Sequence, residues 1–125
     1  MFIDTPAAVH AALEDAFRSG DLEAYLALHE DDATVVVPPE GRAVRGKPAI
    51  RDAMTGLLDR PQGLTSVVRK TLEAGDLALT RATWTIEGTA PDGTPLRLGG
   101  NGTVLSRRRP DGQWGIVLDD PLGPA

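Results

Sequence analysis

Apolar residues recur at helical spacing through the first half of the chain and alternate with polar ones through the second. Thr5-Pro6 reads as an N-cap followed by proline at the first helical position, where its missing N–H costs nothing. Val9, Leu13, Ala16 and Phe17 then make one stripe, which Ser19-Gly20 ends. His10 lies beside that stripe and is expected at the surface. Asp21 caps a second helix with Leu22, Tyr25, Leu26 and His29 on one face. Asp31-Asp32 oppose its dipole and force the chain out there. The β-branched run 33–37, closed by Pro38-Pro39, predicts a short strand, and a turn leads to another at 43–45. Gly46-Lys47-Pro48 opens a third helix whose apolar face is Ile50, Ala53, Met54, Leu57 and Leu58.

After Arg60-Pro61-Gln62-Gly63 the period becomes two, predicting strands at 64–73, 77–88, 95–108 and 113–119. Gly75-Asp76 and two Pro-Asp-Gly strings supply the turns between them. Helices early and a meander late make the class α+β. Three helices can cover only one face of the sheet, so it is expected to curl around them. Gly99, Gly100 and Gly102 in one strand mark a bend, a bulge or a close approach. The expected architecture is a cone-like single domain over residues 1–125, with three helices of the N-terminal half on a strongly curved antiparallel sheet and a hollow between the layers.

Composition narrows the chemistry. The 125 residues include no cysteine, which removes disulfides, thiolate nucleophiles and cysteine metal sites. With 18 acidic against 13 basic side chains the net charge is −5, which disfavours a nucleic-acid partner. Arg107-Arg108-Arg109 precedes a turn and splays to both faces, so no phosphate groove follows from it. No apolar run is long enough to span a bilayer and no targeting segment is evident, so no membrane partner and a cytoplasmic location are expected. The two histidines lack ligand spacing, and the Gly99–Gly102 string lies inside a strand with no helix after it. No metal and no cofactor are expected.

The element order and several strings together resemble the nuclear transport factor 2-like superfamily, in its SnoaL-like and ketosteroid isomerase branches. The strings are Gly20-Asp21-Leu22, Asp31-Asp32-Ala33-Thr34-Val35 with Pro38, Gly46-Lys47-Pro48-Ala49-Ile50 and Trp114-Gly115-Ile116-Val117. The tail Leu118-Asp119-Asp120-Pro121-Leu122-Gly123 resembles a subgroup of ketosteroid isomerase homologues without known activity. The resemblance implies a cone with a pocket and a homodimer formed through the sheet. It also implies where a steroid isomerase would carry its base and its oxyanion-binding tyrosine, and here those positions are Val37 and Leu13. Neither side chain can exchange a proton or donate to an enolate, so classical steroid isomerase activity is not expected.

The expected function is therefore a pocket for a small hydrophobic molecule. The alternative is a cofactor-free acid–base enzyme (isomerase, cyclase or dehydratase) acting on a polyketide-, terpenoid- or steroid-like substrate. For such chemistry His29 and Asp120 are the candidate acid and base. Alternation sends Asp119 and Asp120 to opposite faces, with capping of the chain around Pro121 as the other role open to them. Leu13, Phe17, Tyr25, Val37, Trp84 and Asn101 are the candidate ligand contacts.

Overall fold

The computed structural model describes residues 2–123. Helix α1 (Pro6–Ser19) begins where the cap is expected, with the Thr5 hydroxyl accepting from the Ala8 N–H at 3.1 Å. It ends at Gly20, which is left-handed at φ 59° and donates its N–H to the carbonyls of Ala16 and Phe17. This is a tight place: a Cβ on Gly20 would lie 2.5 Å from the carbonyl carbon of Arg60.

The remaining elements are α2 (Leu22–Ala27), β1 (His29–Val37), β2 (Arg42–Arg45), α3 (Lys47–Leu58), β3 (Gly63–Ala74), β4 (Leu77–Thr89), β5 (Pro95–Arg108) and β6 (Trp114–Asp120). Three helices pack on one curved six-stranded sheet in the order β2-β1-β6-β5-β4-β3. The strands from β3 to β6 form the expected antiparallel meander. The sheet is nevertheless mixed, because β1 runs parallel to β6. A parallel pair needs a long crossover, and α3 with three strands of the meander supplies it.

Helix α2 is shorter than the pattern predicts. It stops at Ala27, and residues 29–32 belong to β1. Three consecutive acids, Glu30-Asp31-Asp32, would sit against the negative end of a longer helix. Extended, they reach cations instead: Arg107 to Glu30 at 2.9 Å, Lys47 to Asp31 at 3.6 Å and Arg45 to Asp32 at 3.5 Å. The cost is an irregularity, since the β1–β6 register slips between His29 and Thr34.

A second irregularity decides the site. In β6, Ile116 pairs with Ser106 and Leu118 with Leu105, so Val117 is an extra residue with no partner on β5. Such a bulge reverses the alternation beyond it. Ile116 and Asp119 consequently lie on the same face of the sheet, three residues apart, beside Ser106 and Val104 of β5. That face carries the core, in which Val9, Phe17, Ile50, Leu58 and Ile116 are buried under the helices.

Replacing Gly20 with alanine combines a left-handed L residue, which costs about 1–2 kcal/mol, with a clash against Arg60. Urea unfolding of Gly20→Ala is expected to show a loss of at least about 2 kcal/mol, whereas Gly75→Ala, which meets nothing within 4 Å, loses only the backbone part.

Candidate functional site

The hollow between the helices and the inner sheet face is a real cavity. Its volume is about 70 Å³; roughly 10–15 Å³ suffices for one water, so there is room for several waters or a small ligand skeleton. Leu13 and Phe17 of α1, Tyr25 of α2, Met54 of α3 and Trp84 of β4 make most of its wall apolar. Phe17 and Tyr25 meet edge to face with centroids 5.7 Å apart. Pro121 closes part of the mouth, where its carbonyl accepts from Trp84 Nε1–H at 2.7 Å. The glycines of β5 allow this: a Cβ on Gly102 would come within 2.9 Å of the Pro121 Cα.

One carboxylate enters this apolar space, and it belongs to Asp119. It is half-buried and forms part of the cavity lining. No donor among the described residues bonds to it. Loss of solvation, with the neighbouring Asp120 charge adding to it, pushes its pKa up to about 7. Tyr25 also faces the cavity, and burial together with the Asp119 charge raises its pKa well above that of a free phenol. Its hydroxyl therefore stays a donor at any ordinary pH.

A second polar group stands on another part of the wall. His10 is buried, not at the surface, and it lines the cavity together with Ser66. Its Nε2 lies 2.7 Å from Thr80 Oγ1 and its Nδ1 lies 3.2 Å from Ser66 Oγ. Burial lowers its pKa, against the opposing influence of Glu14, so the ring is neutral near pH 7. The signal was available in the sequence: a core-facing stripe is broad, and position 10 continues 9, 13, 16 and 17.

The candidate contacts divide. Leu13, Phe17, Tyr25 and Trp84 come together around the cavity. Val37 is buried but the wall is made by its neighbours Val35, Val36 and Pro38. Asn101 is exposed on the opposite face, where its Oδ1 accepts from the Thr83 hydroxyl at 3.1 Å, because strand alternation turns 101 outward when Gly102 and Val104 face in. Asp120 is not in the cavity either. The bulge at Val117 gives the inward position to Asp119, and Asp120 accepts from the Leu122 N–H at 3.2 Å.

His29 is the other correction. It is the first residue of β1, not part of α2, and it lies outside the main cavity. Its Nδ1–H donates to the Tyr25 carbonyl at 2.8 Å, which also accepts from the Leu28 N–H at 3.2 Å at the end of α2. Burial, with the Lys47 charge adding, lowers its pKa to about 4. It borders a separate polar depression with Glu30, Asp31 and Lys47. Among the described residues no group of three or more His, Asp or Glu side chains could hold a metal ion. None of the described helices is long and apolar enough to cross a membrane.

Three helices packed on a curved six-stranded sheet, with a hollow between them, make a fold of the nuclear transport factor 2-like kind. The sequence matches the SnoaL-like domain family over residues 9–115, and the chain belongs to that family. Its fold is similar to that of a nuclear transport factor 2-like superfamily protein from Salmonella enterica serovar Typhimurium, with a TM-score of 0.78, 16% identity, and 97% of this chain and 94% of that one covered. It is also similar to a ketosteroid isomerase-like protein from Erwinia carotovora atroseptica, with a TM-score of 0.75, 21% identity and 94% of each chain covered. No curated protein matches the sequence.

The raised pKa of Asp119 has a signed consequence for stability. Between about pH 4, where a free aspartate ionises, and about pH 7 the folded state holds a proton that the unfolded state releases. Stability from this group is thus full below pH 4 and is lost as pH rises through 7. Chemical denaturation of Asp119→Asn should show the variant gaining on the wild type between pH 4 and pH 8, by up to about 4 kcal/mol for a shift of about three units.

Proposed function

We infer that the protein binds a small, largely apolar molecule in the cone and moves a proton on it with Asp119, without a cofactor. The observation that carries this reading is a carboxylate with no protein hydrogen-bond partner among the described residues, facing an apolar cavity with its pKa near 7. A base of that strength is half ionised near neutrality, where proton transfer in both directions is efficient. Val37 and Leu13 stand where the family's isomerases carry their base and tyrosine, so the chemistry falls instead to Asp119 and Tyr25. Acting on a ketone, the Asp119 carboxylate takes a proton from the carbon beside the carbonyl. The C–H electron pair becomes the new C=C bond as the carbonyl π pair moves onto oxygen, giving an enolate that Tyr25 O–H can stabilise by donation. Return of a proton from Asp119 to the same or another carbon completes an exchange or an isomerisation. This is the enzymatic reading, and the unpartnered carboxylate favours it over a pocket that only stores its ligand.

Deuterium incorporation beside the carbonyl of 2-tetralone in D2O, followed by NMR, tests it. The wild type should accelerate exchange, with a rate rising through an apparent pKa of about 7 as Asp119 ionises. Asp119→Asn should lower the rate by at least about 100-fold, the usual scale for removing a general base. Exchange no faster than in buffer, or unchanged in the variant, refutes the reading.

We also infer that two copies pair through the outer sheet face. Leu72, Leu79, Leu105 and Leu118 are successive register partners across β3, β4, β5 and β6 and form one apolar row there. The neighbouring row carries Lys70 and Arg81 at one end and Asp120 at the other. A two-fold axis that reverses the rows sets those cations opposite the partner's carboxylate, so a second copy of this face is its charge complement. Leu105→Glu should convert a dimer to a monomer in analytical ultracentrifugation, while a wild type that sediments as a monomer removes the idea.

A further inference from the structure

The Ser66–His10–Thr80 chain has no part in the proton transfer just described, yet two of its members face the same cavity. Each end of the His10 ring meets a hydroxyl, so the chain can run in either direction. If Thr80 O–H donates to Nε2 across the short 2.7 Å contact, Nδ1–H donates to Ser66 and leaves the Ser66 O–H free. If the chain is reversed, Thr80 can turn its proton to the Val104 carbonyl at 3.4 Å, and Ser66 keeps lone pairs to offer. Either way the Ser66 hydroxyl is bonded to protein on one side only. The Ser66 backbone is itself anchored, since its N–H donates to Glu14 Oε2 at 2.9 Å.

The place of this hydroxyl relative to Asp119 follows from the sheet. Asp119 pairs with Val104, and Val104 with Thr80. Two strand spacings of about 4.8 Å put roughly 10 Å between the Asp119 and Thr80 backbones. His10 bridges Thr80 to Ser66, which stands one strand further from Asp119, on β3 and in register with Trp84.

We propose that Ser66, oriented by His10, is a distal recognition site for an oxygen substituent on the ligand, at the opposite end of the cavity from Asp119. This rests on the proton-transfer reading for what lies at the near end. It narrows the substrate class to small cyclic ketones that carry a hydroxyl at the end of the molecule remote from the reacting carbon. Ser66 makes the contact; His10 is a positioning residue that keeps the hydroxyl aimed into the cavity and lets it act as donor or acceptor.

Two probes of nearly equal shape test it: 2-tetralone and 6-hydroxy-2-tetralone, with binding measured by calorimetry. One added hydrogen bond predicts that the wild type binds the hydroxylated ketone about three- to tenfold more tightly. Ser66→Ala should abolish that preference and leave the affinity for 2-tetralone unchanged. His10→Leu should reduce the preference as well, whereas a merely structural role would weaken both ketones alike. Asp119→Asn should keep the preference while losing exchange, so failure of exchange alone counts against the proton-transfer reading and not against this one. Equal affinities in the wild type, a preference that survives in Ser66→Ala, or failure of the wild type to bind either probe overturns the proposal.

Discussion

Taking a carboxylate out of water without giving it a donor is costly, and the cone does this to Asp119. The rest of the site can be understood as what makes that cost tolerable. Among the described residues only one charge is placed in the cavity, and it is relieved by taking up a proton near pH 7 rather than by an ion pair that would quench its basicity. The walls are aromatic and aliphatic, so the carboxylate faces carbon. Tyr25 sits in the same low-dielectric surroundings and responds in the opposite functional sense, remaining a proton donor.

Two departures from regular strand geometry govern which side chains reach this space. Had β6 alternated without interruption, Asp120 would share a face with Ile116 and Asp119 would point away from the helices. The unpaired Val117 exchanges them. In β1 the slip between His29 and Thr34 separates the His29 end of the strand from the cavity end, where Val35 stands beside Asp119. His29 is thereby used to finish α2 instead of to line the hollow. Glycines in β5 serve a third constraint, because the chain after β6 can cross the mouth only where that strand lacks side chains.

The polar groups are arranged economically. His10 is a buried histidine whose two nitrogens are both partnered, so its neutral ring carries no unmet demand. His29, by contrast, leaves Nε2 without a partner, and burial keeps that ring neutral as well. Both must be uncharged in the folded state, which makes the fold less stable as acid charges them in the unfolded chain. Asp119 changes stability in the reverse direction over an overlapping range, so between about pH 4 and pH 6.5 the two effects offset one another.

Much of this was legible in the order of residues. Thr5-Pro6, Gly20, Gly46-Lys47-Pro48 and the Pro-Asp-Gly turns act through local backbone chemistry, and the elements begin and end within a residue or two of where that chemistry puts them, except at α2 and β1. The aromatic wall followed too, since Leu13, Phe17 and Tyr25 lie on helical stripes that can face only the sheet. The choice between Asp119 and Asp120 and the removal of His29 from the cavity were settled elsewhere. Each depends on how one strand registers against a neighbour far away in the chain, and a one-residue bulge costs too little locally to leave a mark in the sequence while reversing every side chain beyond it.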